Sequence, residues 1–360
     1  MTRAYILLFT YVLFFSFVLP SESFSYPKTQ PINFNHVKLR LKQYEKFNIN
    51  PGPFQSIHLK EAWKIFKKNK KITVAIIDTG VDIKHPFLQE NILNLKSSLG
   101  SPHSIESNLK NSPYEDPTDT HGHGTHISGI IKSIFPEIQI ISLKCFSPNS
   151  KGKTKLGAII KAFKFAIDNK VDIINYSGGG KRPHERELRI LQKASQKNIL
   201  VVTAAGNYSL NLDLKKNNYF PASYNLKNII SVGANDNIST ILPYSNYGKK
   251  TVHIYAPGHR IKGPLPNNRY AFMTGTSQST AFVTGVAALI KSQFPYLTPL
   301  QIKEILIHSS KGNKNFSKKS FSGKNLNAYK ALSLAKQLDK KRKKKNPLRT
   351  KIARSLSKAI

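Results

Sequence analysis

Three short segments of this chain carry residue types that together can hydrolyse an amide. They are Thr274-Gly275-Thr276-Ser277-Gln278-Ser279-Thr280-Ala281, His121-Gly122-His123-Gly124-Thr125-His126 and Ile76-Ile77-Asp78-Thr79-Gly80. A serine hydroxyl is a weak nucleophile near neutral pH and needs an adjacent base to take its proton as it attacks a carbonyl. An imidazole can be that base when a carboxylate on its other nitrogen fixes the tautomer and stabilises the transient imidazolium. Each segment alone says little. Asp-Thr-Gly also marks aspartic proteases, and His-x-His-x-x-His is the ligand spacing of a dinuclear zinc hydrolase.

The flanking sequence shows how such residues would be positioned. Asp78 ends the apolar run Ile72-Thr73-Val74-Ala75-Ile76-Ile77, which reads as a buried parallel strand, and ligand sites in such sheets gather at the carboxyl ends of strands. Ser277 precedes the apolar stretch 281–290, predicted as a central helix bounded by Pro295. That places Ser277 at a helix N-terminus, where unpaired N–H groups and the dipole favour negative charge. Further apolar strands at 138–145, 171–176, 199–203 and 228–233 alternate with helical stretches at 155–169 and 187–196. The pattern predicts a three-layer α/β/α domain with a mostly parallel central sheet.

The motifs occur in the order Asp, His, Ser, with Ala204-Ala205-Gly206-Asn207 between the last two. In this the chain resembles the subtilisin-like serine proteases, the subtilases of the peptidase S8 family. Glu61-Ala62-Trp63, His85-Pro86, Asp172-Ile173-Ile174-Asn175-Tyr176-Ser177-Gly178-Gly179-Gly180, Tyr244-Ser245-Asn246-Tyr247-Gly248, Ala256-Pro257-Gly258 and Leu326-Asn327-Ala328 look like family landmarks in their proper order. The resemblance covers residues 56–334. It implies a secreted serine endopeptidase that works through an acyl-enzyme. Ser277 would attack, His123 move the proton, Asp78 orient the imidazole, and Asn207 with the Ser277 N–H hold the oxyanion. It also implies that Ser177, Gly178 and Gly179 pair with an extended substrate added as a β-strand and line the first specificity pocket, and that Ala204, Ala205 and Gly206 bind substrate.

Some features depart from that pattern. Gln278-Ser279 stands where many members have Met-Ala, and Phe282 replaces a usual histidine. Residues 129–136 run almost directly into the strand 138–145, where the family's calcium-binding loop normally lies, so no cofactor is expected and a calcium requirement does not carry over. The zinc reading lacks the aspartate that metallo-β-lactamases place at the position of Thr125, and it leaves Asp78, Asn207 and Ser277 unexplained. A non-catalytic peptide-binding relative is the other rival, against which the intact motifs argue. His126 reads as a structural histidine and His121 as a solvated neighbour. Asp82, Asp116 and Asp119 read as loop-solvating or turn-forming carboxylates, with a place lining the site as the alternative.

The 360 residues suffice for one large α/β domain, and the single cysteine, Cys145, rules out an intrachain disulfide and reads as a buried, inert thiol. Residues 1–23 have the form of a signal peptide: a basic start, an apolar run from Ala4 to Leu19 and small residues near Ser23. The run is short for a membrane span. Export follows, to a secreted, periplasmic or cell-surface location. Residues 24–55 form a short N-terminal extension or reduced pro-segment, 56–334 the peptidase domain and 335–360 a basic C-terminal tail. Lysine and arginine number 56 against 19 acids, a formal charge of +37. Such a field draws a protein to anionic surfaces, but no nucleic-acid recognition module is visible. After Lys340-Lys341-Arg342-Lys343-Lys344-Lys345, the residues Leu348, Ile352, Leu356 and Ile360 recur every fourth position. This is the pattern of a basic amphipathic helix for an anionic membrane or envelope surface, with a solvated tail as the alternative. Polypeptide substrates are the expected partners, and a monomer the expected state.

Overall fold

The apolar run that ends in Asp78 becomes strand β2 (Thr73–Asp78), buried on both faces. Val74 and Ile76 point into one apolar core, Ala75 and Ile77 into a second. A strand with two apolar faces needs cover on both sides, and here helices supply it. In the computed structural model, which describes residues 19–20, 44–93, 118–146, 152–237, 240–309 and 314–345, β2 is the second of six parallel strands. The others are β3 (Gln139–Lys144), β4 (Ile173–Tyr176), β5 (Leu200–Ala204), β6 (Ile229–Asn235) and β7 (Ile254–Pro257), in the order β3-β2-β4-β5-β6-β7. Chain order reverses beside β2: the path goes out to β3 and returns past β2 to β4. Crevices that bind ligands form at such reversals.

Helices α1 (Pro51–Ser56), α2 (Leu59–Ile65), α3 (His123–Ile134), α6 (Thr276–Gln293), α7 (Pro299–His308) and α9 (Ala328–Lys345) contribute to or flank the first core. Helices α4 (Gly152–Asp168) and α5 (Glu185–Gln196) cover the other face, and α8 (Lys314–Ser317) is a single turn. The expected three-layer α/β/α architecture is therefore present. An antiparallel pair, β8 (Ile261–Leu265) and β9 (Arg269–Met273), lies over α3, and the two-residue strand β1 (Leu19–Pro20) pairs with β9 at Phe272 and Ala271. Strand β7 and the β8–β9 hairpin were not predicted: Ile254–Pro257 is short, and β8 is interrupted by Gly263 and Pro264.

Helix α6 begins at Thr276, earlier than the apolar stretch suggested, and is buried on nearly all sides. Small residues make that possible. A Cβ on Gly285 would lie 2.8 Å from Ile134 Cβ, so α3 and α6 are in close contact there. The hydroxyls of Thr280, Ser279 and Thr284 in α6 find partners in the interior: Thr280 Oγ1 donates to the Thr276 carbonyl at 2.7 Å, Ser279 Oγ to Ala256 O at 2.9 Å, and Thr284 Oγ1 to Asn175 Oδ1 at 2.8 Å, whereas the buried Gln278 amide finds no partner among the described residues. Buried hydroxyls without such partners would be destabilising.

The predicted boundaries at 55/56 and 334/335 fall within continuous structure. Helix α1 spans the first, and Tyr44 packs edge-on against Trp63 at 5.4 Å while its hydroxyl donates to Glu137 at 2.9 Å. Helix α9 runs through the second: Ala335 is in the core, and Asp339 accepts from the Tyr296 hydroxyl at 2.7 Å. The Asp339 carboxylate also binds Lys343 at 2.5 Å and Arg342 at 3.1 Å, so the basic run begins as helix docked on the domain. The proposed cleavage point near Ser23, Asp116 and the periodic segment 348–360 lie outside the described residues.

Candidate active site

Three neighbouring strands deliver the site. Asp78 ends β2, Ser177 follows β4 and Ala204 ends β5, and β2, β4 and β5 are adjacent in the sheet. At about 4.8 Å between strands, their carboxyl ends lie within about 10 Å. Helix α3 starts against the first of them. Gly122, its N-cap, has φ of 97°, and a Cβ on Gly124 would come within 2.1 Å of the Gly80 carbonyl oxygen, so only glycine permits this approach. The first residue of α3 is His123. Its Nδ1 lies 2.7 Å from Asp78 Oδ1, which also accepts from the Thr79 N–H at 2.8 Å.

Both partners are buried, and this sets the electrostatics. Burial alone would push the His123 pKa down, but the Asp78 charge and hydrogen bond, with a smaller contribution from Asp119, hold it above the ordinary histidine value. The Nε2 atom on the far side of the ring is buried and has no hydrogen-bond partner among the described residues. An imidazole anchored at Nδ1 and free at Nε2 is arranged to take a proton.

Asp119, expected as a turn-forming carboxylate, does form a turn with His121 and Gly122 and also joins the two elements that carry the Asp78–His123 pair. Its Oδ1 accepts from Thr79 Oγ1 at 2.9 Å, from His121 N at 2.9 Å and from Gly122 N at 2.8 Å. Its Oδ2 accepts from Thr125 N at 2.9 Å and Thr125 Oγ1 at 2.6 Å. Burial raises its pKa, but these hydrogen bonds outweigh that and keep it below the usual carboxylate range. The signal in the sequence was an aspartate three residues before the helix-capping Gly122, a place where free N–H groups need an acceptor.

Ser277 lies in the first turn of α6, between the segments that follow β4 and β5. Its Oγ donates to the Ser177 carbonyl at 3.0 Å, and the Ser177 hydroxyl donates to the Ser277 carbonyl at 3.2 Å. The hydroxyl thus rests on Ser177, while His123 Nε2 is unengaged among the described residues. Ser177 is itself held from below: Asn175 Nδ2 donates to Ser177 Oγ at 3.0 Å, and Thr284 holds Asn175. On the other wall, the Thr276 N–H donates to Asn207 Oδ1 at 2.9 Å and Gly206 N to Thr276 Oγ1 at 3.2 Å. A backbone N–H can only donate, so Asn207 must turn its oxygen to Thr276, which leaves its NH₂ available as a donor. Asn246 fixes the 205–210 loop, donating to Ala205 O at 2.8 Å and accepting from Tyr208 N at 3.0 Å and Leu210 N at 2.9 Å. Sequence reading placed Asn246 in a landmark segment without assigning it this role, since its partners lie about forty residues away.

His126 does not converge with His121 and His123 on a metal. Its Nε2 faces the carbonyls of Ile261 and Ala271 at 3.1 and 3.3 Å beneath the β8–β9 hairpin, and burial, with His123 adding, pushes its pKa down to about 3. It is structural. Burial and the Asp78 charge push the Cys145 thiol well up, which leaves it unreactive. The connection from α3 to β3 spans residues 135–138 and holds one acid, Glu137, already engaged by Tyr44 and Lys68. Calcium takes six to eight oxygen ligands, and these residues do not fit it.

The Peptidase S8 subtilase family pattern matches residues 69–332. The chain belongs to the subtilase family. This subtilase is 33% identical over 274 residues to Subtilisin-like protease 2 of Plasmodium falciparum, an alignment covering 72% of the chain and 19% of that relative. It therefore spans about a fifth of that protein's length. It is 31% identical to the Major intracellular serine protease of Bacillus subtilis, with 70% of this chain and 78% of that one aligned. Its fold is similar to that of a crystallised lanthipeptide protease, with TM-score 0.65 and 24% identity over 82% of this chain and 96% of the other. The nisin leader peptidase NisP of Lactococcus lactis aligns with TM-score 0.64 and 21% identity, over 79% and 94%.

Proposed function

We propose that this subtilase is a serine endopeptidase that cleaves polypeptides through an acyl-enzyme on Ser277. The observation that carries the reading is the buried Asp78–His123 pair, 2.7 Å apart, whose Nε2 has no hydrogen-bond partner among the described residues and which lies at the carboxyl end of β2, in the same sheet as the strands β4 and β5 whose following segments flank Ser277. Rotation of the Ser277 hydroxyl from the Ser177 carbonyl to His123 Nε2 lets the imidazole take its proton as Oγ attacks. The same proton then passes to the leaving amine, and water repeats the sequence to release the acyl group. The Asn207 NH₂ and the Ser277 N–H receive the developing oxyanion, at the favourable end of the α6 dipole. Ser177, Gly178 and Gly179 form one wall of the substrate groove and Ala204, Ala205 and Gly206 the other. No cofactor takes part in these steps. Export is supported by the apolar run 4–19, and an anionic surface partner by the basic C-terminal residues.

A fluorophosphonate probe tests the reading. It is expected to label Ser277 in the wild type and not in Ser277→Ala. Asn207→Ala is expected to keep labelling but lose turnover by roughly 10²–10³-fold, the effect measured for such a donor in subtilisin. Full proteolysis by the serine variant would overturn the assignment.

A further inference from the structure

The side chain on the acyl side of the scissile bond has a restricted place to go. If Ser277 is the nucleophile and Asn207 faces the oxyanion, the acyl residue lies between the wall that begins at Ser177 and the wall that ends at Asn207. Its side chain then points into the gap between Gly179 and Gly206. An aromatic ring already fills that gap. A Cβ built on Gly179 would be 2.5 Å from Tyr219 Cε1, and one built on Gly206 would be 3.2 Å from the same atom. One ring carbon therefore touches both walls, and Tyr219 is only 2% exposed.

The ring is held in place. The residue after it, Phe220, exchanges both backbone hydrogen bonds with Gly180, at 2.7 and 2.8 Å. The Tyr219 N–H donates to Ser223 Oγ at 3.0 Å, and the Tyr208 ring lies behind at a centroid distance of 6.0 Å. These bonds fix the main chain from which the ring projects, and the ring itself is closely packed, as protein interiors are. We infer that Tyr219 closes the floor of the primary specificity pocket, so that the enzyme cleaves after glycine, alanine or serine and excludes large aliphatic and aromatic residues. This rests on the endopeptidase reading and names its substrate class. The expected discrimination has a scale, since one methylene in a hydrophobic pocket changes kcat/KM by roughly 10–200-fold.

The test uses the full-length protein and succinyl-Ala-Ala-Pro-Xaa p-nitroanilides with Xaa alanine or phenylalanine. The wild type is expected to favour alanine at least tenfold in kcat/KM, and Tyr219→Ala to raise the phenylalanine-to-alanine ratio by tenfold or more. Cleavage of a peptide library by the wild type gives the same answer without any variant. Enrichment of Gly, Ala and Ser before the cut supports the inference; dominance of Leu, Phe or Tyr overturns it. Ser277 labelling alongside a preference for large residues would remove this inference and leave the protease reading intact. Absence of both labelling and cleavage would overturn both.

Discussion

Asp119→Asn separates the roles of a carboxylate that sequence reading assigned to turn formation. The side chain is 4% exposed and accepts five hydrogen bonds, three on Oδ1 and two on Oδ2. An asparagine can keep its oxygen toward Thr79, His121 and Gly122, but its NH₂ then faces the Thr125 N–H and hydroxyl. The hydroxyl can turn and accept; the N–H cannot. Leaving one buried N–H without an acceptor costs about 1–3 kcal/mol, and losing the charge weakens the remaining bonds. A destabilisation of about 3 kcal/mol corresponds to a fall in Tm of about 6–12 °C for a domain of this size. The folded pKa of Asp119 is depressed, so its stabilisation is present above its unfolded value near pH 4 and is lost as pH falls through the folded one. The difference between wild type and variant should therefore shrink in acid. Activity supplies a second readout. Asp119 helps raise the His123 pKa, and the base works only when neutral, so the acid limb of kcat/KM should move to lower pH in the variant. A Tm within about 2 °C of wild type, together with an unmoved acid limb, would refute the reasoning.

Two further outcomes are expected. His126 titrates near 3 when folded and about 6.5 when unfolded, so the unfolded chain binds the extra proton between these values and stability falls as pH drops through them. Tm plotted against pH should be less steep for His126→Gln, whose amide can still donate to the Ile261 and Ala271 carbonyls; parallel curves would contradict this. Truncation after Lys345 spares the docked part of α9 and should leave peptide hydrolysis intact while reducing salt-sensitive binding to anionic vesicles. Equal vesicle binding by both proteins would exclude an anchoring role for residues 346–360.

The sequence alone determined the layers of the fold and the parts of the chemistry. Runs such as 72–77 and 199–203 are apolar throughout, and a strand buried on both faces in a parallel sheet demands that composition. The short motifs around Asp78, His123, Asn207 and Ser277 are legible because each combines a reactive side chain with the small residues that let backbone approach it. Contacts between distant segments are not written in local pattern. Asp119 is an ordinary loop aspartate until Thr79, forty positions earlier, donates to it. Asn175 looks like one more residue of an apolar strand until Thr284, deep in α6, holds it under Ser177. Gly179 and Gly206 read in sequence only as substrate-binding positions, and only the packing brings the Tyr219 ring between them. Local propensity and hydrophobic period depend on near neighbours, whereas the satisfaction of a buried polar group and the filling of a gap depend on which surfaces the sheet brings together.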